Sequence, residues 1–220
     1  SKISTAFNIT GDLESLMLHK RGHIHDTYIS TWKIDDLKKR YIHQKINQSV
    51  FQNVPGLIKN IELVTEHLQQ KIGASSTTED DCTLTLLRTI DGQSYYRDES
   101  DNWWRTYIYI ENTFRRFFSS CNVLFIQISP KYVDRQRRRS ELIYVIQAGL
   151  DDGTIPLRVV HGDMKLNNAL FSVSTRKAIC LVDLDTCMPG YSLFDFGDLV
   201  RSTSVPTAED EQDLSKVQIN

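Results

Sequence analysis

Between residues 15 and 50 apolar and polar positions alternate with a period of two. "SLMLHK", "TYISTWKI" and "RYIHQKIN" are separated by "RGHIHD" and "DDLKK". Alternation sends successive side chains to opposite faces of a strand, and charged or glycine-bearing interruptions mark turns, so this region predicts three antiparallel strands. From Val54 the period changes. "VPGLIKNIELVTEHLQQKI" sets Leu57, Ile61, Val64, Leu68 and Ile72 at helical spacing with Pro55 in the first turn, predicting a long helix after the third strand. After the polar "STTEDD", the runs "CTLTLLRTI" and "WWRTYIYIE" around "DGQSYYRDESDN" read as a second hairpin.

Beyond Glu111 the pattern is mixed. "TFRRFFSS" suits a helix, "NVLFIQIS" a strand, and "RRRSELIYVIQAGLDDG" a helix ending near Gly149 or Gly153. A strand "PLRVVHG", a polar loop, a strand "ALFSV", a turn "STRK" and the apolar strand "AICLVD" follow. A β-rich half with one helix, then a mixed half built around a hairpin, is an α+β arrangement. The chain shows no internal repeat.

Composition narrows the functional classes. With 220 residues and 40% hydrophobic content the chain can bury a true core, and a formal charge of −2 gives no global attraction for nucleic acid or an anionic membrane. Its one dense basic run, "RQRRR" at Arg135–Arg139, reads as the solvated start of a helix. Cys82, Cys121, Cys180 and Cys187 lack CxxC spacing, so neither a disulfide framework nor structural zinc is expected. No signal-peptide pattern and no apolar run of roughly 20 residues is present, and a soluble, cytoplasmic protein with no nucleic-acid or membrane partner is the expectation.

The chemistry concentrates in "VVHGDMKLNNALF", Val159 to Phe171. Asn168 stands where "ALFSV" begins and Asp183 where "AICLVD" ends, so antiparallel pairing through the short turn brings an amide oxygen and a carboxylate to one place. Hard oxygen donors supplied one or two at a time suit Mg²⁺ arriving with a nucleotide's phosphates. Asp163, at the other end of the loop, is placed to accept a hydroxyl proton. The order His161-Gly162-Asp163, Asn168, Asp183 is the "HxDxxxxN … D" arrangement of kinase-type phosphoryl transfer. Lys165 can offset charge on the transferred group. Asp185 is a second metal ligand or a partner that orients Asp183. The tripeptide Asp195-Phe196-Gly197 imitates a metal-binding signature, but Asp195 lies beyond the hairpin and reads as a helix cap or a brace behind the loop.

In the first half, Lys45 is the candidate for nucleotide phosphates, held by Glu62 or Glu66, although a plain solvated-face reading of Lys45 stays open. Alternation groups Gln44 with Ile42 and Ile46 on one face and Lys45 with Tyr41 and His43 on the other. The turn "RGHIHD" holds only Gly22 and is a poor phosphate-loop signature.

With "GHIHDTY", "RYIHQKIN", "NIELVTEHL", "DGQSYYRDESDNWWRTYIYIE", "IPLRVVHGDMKLNNALF" and "LVDLDTCMPGYSLFDFGDLVRS" in view, the chain resembles the aminoglycoside phosphotransferase and choline kinase superfamily, and within it the N-acetylhexosamine 1-kinases. The resemblance implies a bilobal protein-kinase-like fold, with a nucleotide-binding lobe over residues 1–110 and a catalytic lobe, shorter than the family's, over 111–220. It implies phosphorylation of the anomeric hydroxyl of an N-acetylhexosamine by ATP with Mg²⁺. Asp163 would be the base, Asn168 and Asp183 the metal ligands, and Thr106 to Glu111, including Tyr109, the hinge for adenine. The pattern departs at "FFSSCNVLFIQIS", where the family's helical segment is not matched. Other acceptors of the superfamily, choline, homoserine or an aminoglycoside, and a non-catalytic nucleotide-binding protein are the alternatives.

Overall fold

A computed structural model describes residues 2–19, 24–75, 82–115 and 141–204. It is a mixed α+β structure that divides into two compact units, Ser1–Thr113 and Phe114–Asn220. The turn at Gly22 and the segments "FFSS", "NVLFIQIS" and "RQRRR" lie outside the described residues.

The first unit opens with a short helix α1 (Lys2–Ala6) and is dominated by a five-stranded sheet of β1 (Asp12–His19), β2 (Asp26–Ile34), β3 (Leu37–Lys45), β4 (Tyr96–Arg97) and β5 (Trp103–Ile108). Its order is β1-β2-β3-β5-β4, with every pairing antiparallel. The three expected strands form. Their second turn is tighter than "DDLKK" suggests, because Ile34 pairs directly with Leu37 and Asp35 takes a left-handed φ of 55° that a short polar side chain tolerates.

Helix α2 (Val54–Ser75) follows β3 as predicted. Asn53 caps it: its Oδ1 accepts the Gly56 N–H at 3.1 Å, satisfying a first-turn donor that has no partner within the helix. Val54 and Ile58 bury against Ile46 of the chain leaving β3, with Phe51, Leu57, Tyr95 and Trp103 around them. Each fully buried aliphatic there contributes about 1.5–3 kcal/mol. The buried stripe also takes in Thr65, whose hydroxyl satisfies itself by bonding back to Ile61 O at 2.8 Å.

The second hairpin differs from the expected one. "CTLTLLRTI" is not a regular strand; it touches β5 through one bridge, Leu86 to Tyr107, and meets Phe7 at Thr89. A turn closed by Gly92 N–H to Thr89 O (2.9 Å) interrupts it, with Gly92 at φ 78°. β5's hairpin partner is instead β4, across Trp103 and Trp104. The two pieces thus occupy successive lengths of one β5 edge. Asp98 ties the β4–β5 turn, accepting Ser100 N–H (2.9 Å), Asn102 N–H (2.9 Å) and Trp104 Nε1–H (2.8 Å). Desolvation opposes its charge, but the Trp104, Asn102 and Ser100 hydrogen bonds win and hold the carboxyl down at about 2.

The second unit holds α3 (Glu141–Asp151), a ribbon of β7 (Arg158–Val160) with β10 (Met188–Gly190), and a three-stranded sheet ordered β6-β8-β9 from β6 (Thr113–Arg115), β8 (Ala169–Ser172) and β9 (Ala178–Leu181). The region read as "TFRRFFSS" begins as the strand β6, which lays Phe114 against Phe171 with ring centroids 5.8 Å apart. Buried Ala169, Phe171, Cys180, Val182 and Leu184 gather along the β8–β9 hairpin. Helix α4 (Ser192–Ser204) packs on β7 and on the 3₁₀ turn Leu166–Asn168. No helix among the described residues is long and apolar enough to cross a membrane.

Candidate active site

Strand β7 delivers the chain into His161-Gly162-Asp163, a loop held from three sides. Gly162 sits at φ 77°, and a Cβ there would stand 2.6 Å from Thr186 O, so both backbone conformation and space call for glycine. Thr186 reaches the same loop, its hydroxyl donating to His161 O at 2.7 Å. Behind the loop, Asp195 of α4 accepts the His161 N–H on Oδ2 (2.8 Å) and the Gly162 N–H on Oδ1 (2.9 Å). Asp195 is the fourth residue of α4, so of its two readings the brace is the one formed.

His161 is buried and links loop to hairpin. Its Nδ1 accepts the Asp163 N–H (3.3 Å) and its Nε2 donates to Val182 O (3.0 Å), which selects the tautomer protonated on Nε2. Asn168, also buried, turns its amide nitrogen to Asp163, donating to the carbonyl and to Oδ2, both at 2.9 Å. Lys165 Nζ lies 2.9 Å from the same Oδ2. Asp163 is therefore oriented by an amide and an ammonium while its side chain stays about a quarter exposed, at 28%.

The hairpin brings the second acid close. Ala169 pairs with Leu181, and the Val182 N–H donates to Asn168 O at 2.8 Å, so Asp183 is the next residue along from Asn168's partner. β9 ends at Leu181, two residues before Asp183, which adopts a left-handed conformation (φ 67°, ψ 54°) and starts the 3₁₀ turn Leu184–Thr186 containing Asp185. A short polar side chain tolerates this conformation, as at Asp35. The thiol of Cys187 registers the local charge: burial first, then the fields of Asp195, Asp185 and Asp183, push it up to about 11. Among the described residues no three His, Cys, Asp or Glu side chains are grouped so as to hold a metal ion.

In the first unit the expected pair is not made. Lys45 lies 3.9 Å from Asp26. Glu62 meets Arg88 Nη1 (3.0 Å), Lys59 Nζ (3.3 Å) and the Ser94 hydroxyl, and Glu66 lies 3.9 Å from Arg88. Burial raises the Glu62 carboxyl, but the Ser94 and Lys59 hydrogen bonds and the Arg88 charge outweigh it and hold it below its ordinary range. Strand alternation explains the separation, since Lys45 shares the face of His43, away from the Ile46–α2 core. Tyr109 and Glu111 are gathered by Arg40, which lies 3.9 Å above the Tyr109 ring and bonds the Glu111 carboxylate through Nε (2.9 Å) and Nη2.

Sequence reasoning missed Arg40, Thr186 and the buried Arg105. The available signal was parity: Arg105 falls between Trp103 and Tyr107, on the inward face of a central strand, where a charge needs a purpose. Residues 124–218 match the family model APH, phosphotransferase enzyme family, a similarity that spans the loop, the hairpin and α4.

Proposed function

We propose that the protein is an ATP-dependent small-molecule kinase that phosphorylates the anomeric hydroxyl of an N-acetylhexosamine. The observation that carries the reading is the convergence of Lys165 and Asn168 on Asp163, with Asp183 one residue beyond Asn168's backbone partner. The choice of sugar rests on the blocks shared with N-acetylhexosamine 1-kinases.

In this reading Asp163 orients the acceptor hydroxyl and takes its proton as the oxygen bonds to the terminal phosphorus and ADP leaves. Lys165 offsets the charge on the transferred group, and Asn168 keeps the carboxylate aimed. The Asn168 oxygen and the Asp183 carboxylate, with Asp185 beside them, are hard donors that fit Mg²⁺. When bound, the ion would neutralise phosphate charge. Tyr109 and Glu111 mark the hinge beside which adenine would lie. Catalysis of this kind depends on positioning and fixed charge rather than on a covalent relay.

The test is ADP release with Mg-ATP and a panel of N-acetylglucosamine, N-acetylgalactosamine, choline, homoserine and an aminoglycoside. Turnover on an N-acetylhexosamine supports the reading. Turnover confined to another acceptor reassigns the substrate, and ATP binding without turnover on any member leaves the non-catalytic alternative.

A further inference from the structure

The peptide that joins His161 to Gly162 is held at both of its poles. A trans peptide points its C=O and its N–H in opposite directions, so the two groups take partners on opposite sides. On one side the His161 carbonyl accepts the Thr186 hydroxyl at 2.7 Å. On the other the Gly162 N–H donates to Asp195 Oδ1 at 2.9 Å. The partners come from different elements, Asp195 from α4 and Thr186 from the end of the 3₁₀ turn Leu184–Thr186.

This double hold answers a weakness that glycine brings. Rotating the peptide about its long axis changes ψ of His161 and φ of Gly162 together, and glycine takes negative φ about as readily as its present 77°. The backbone preference of Gly162 therefore does not fix the orientation of the peptide. What fixes it lies outside the glycine. From behind, an ionised Asp195 carboxylate accepts an N–H and would repel a carbonyl turned toward it. In front, the Thr186 hydroxyl donates to the carbonyl from a fixed point. Buried Leu184 anchors the start of the turn, its carbonyl accepts the Cys187 N–H at 3.2 Å, and Met188 pairs with Val160 of β7. A Cβ on Gly162 would stand 2.6 Å from Thr186 O and 3.2 Å from Thr186 Cβ, so the turn lies flush against the loop. Asp163 is the next residue along, and its N–H returns to His161 Nδ1 at 3.3 Å. The plane of the His161–Gly162 peptide thus sets where the Asp163 side chain begins.

We propose that Thr186 is a positioning residue whose hydroxyl, opposite Asp195, locks the His161–Gly162 peptide in the orientation that presents Asp163 to the acceptor. The proposal rests on the kinase reading above. Its test combines amide hydrogen exchange at Gly162 with steady-state kinetics on Mg-ATP and the acceptor that the wild type turns over. Wild type, Thr186→Val and Thr186→Ser are compared, with thermal melting to verify folding. Valine keeps the shape and removes the donor, whereas serine keeps the donor. Thr186→Val should speed Gly162 exchange roughly three- to tenfold, although Thr186 bonds the other pole of that peptide, and should lower kcat by a similar factor with KM for Mg-ATP within about twofold. Thr186→Ser should recover both. Unchanged exchange or unchanged kcat in folded Thr186→Val overturns the proposal. So does a Thr186→Ser as impaired as Thr186→Val, which assigns the loss to methyl packing. Should Thr186→Val fail to fold, Thr186→Ala against Thr186→Ser decides, since these differ by the hydroxyl alone, and equal values overturn the proposal. A wild type that turns over no acceptor fails earlier, at the kinase reading, and removes the positioning role even where Gly162 exchange responds as expected.

Discussion

Replacing Asp195 by asparagine separates a brace from a metal ligand. The carboxylate accepts two backbone N–H groups, from His161 at 2.8 Å and Gly162 at 2.9 Å. A carboxamide offers one oxygen, so one N–H would face an NH₂ group and lose its acceptor. A hydrogen bond to a charged group is worth about 1.5–3 kcal/mol, and the unsatisfied donor adds its own penalty. If only about 1–3 kcal/mol of this falls on the position of Asp163 in the transition state, kcat drops roughly 5- to 150-fold. The assay is steady-state kinetics against Mg²⁺ concentration, paired with hydrogen exchange at the His161 and Gly162 amides. The brace account expects lower kcat, faster exchange at both amides and an unchanged Mg²⁺ requirement. A large rise in the Mg²⁺ needed for half-maximal rate, with both amides as protected as before, would refute the reasoning and return the metal role to the Asp195-Phe196-Gly197 signature.

Other expectations follow from individual environments. Gly162→Ala should destabilise the second unit by about 1–3 kcal/mol in chemical denaturation, because the new Cβ meets Thr186 O at 2.6 Å in a left-handed backbone; an unchanged midpoint would contradict the loop geometry. Burial lowers the His43 pKa to about 4 from 6.5, so the unfolded chain binds the proton first on acidification. Its contribution is whole above about pH 6.5 and is lost as pH falls toward 4, an effect of order 3 kcal/mol that His43→Gln should flatten. Asp98, held near 2, acts in a lower window, below the ordinary aspartate range. With its thiol pushed up to about 11, Cys187 should react with iodoacetamide at pH 8 roughly a hundredfold more slowly in the native protein than in the denatured one, read by peptide mass spectrometry.

Much of the first sheet and of the β8–β9 hairpin is legible in the sequence because periodicity and short-range geometry determine them. Three alternating runs separated by turns specify β1 to β3, and the change of period at Val54 specifies α2. The nearness of Asn168 to Asp183 follows from antiparallel pairing through one short turn. The illegible parts depend on longer-range competition. "CTLTLLRTI" has strand composition, yet the β4 residues Tyr96 and Arg97 take the adjoining length of β5's edge, leaving it one bridge there. Glu62 has the spacing to meet β3, but Arg88 and Ser94, 26 and 32 residues away, reach it in the fold. Arg40 meeting Glu111 across 71 residues of sequence, with Tyr109 under its guanidinium, is of the same kind.

The most direct test of the account is phosphoryl transfer by the full chain and its Asp163→Asn variant, with Mg-ATP and an N-acetylhexosamine, following ADP release and the phosphorylated sugar together. Asp163→Asn keeps the shape of the side chain and removes the proton acceptor, so the rate should fall by about 10²–10⁴-fold with Mg-ATP still bound. Turnover by Asp163→Asn at the wild-type rate would contradict the claim that this loop is the working centre of the protein.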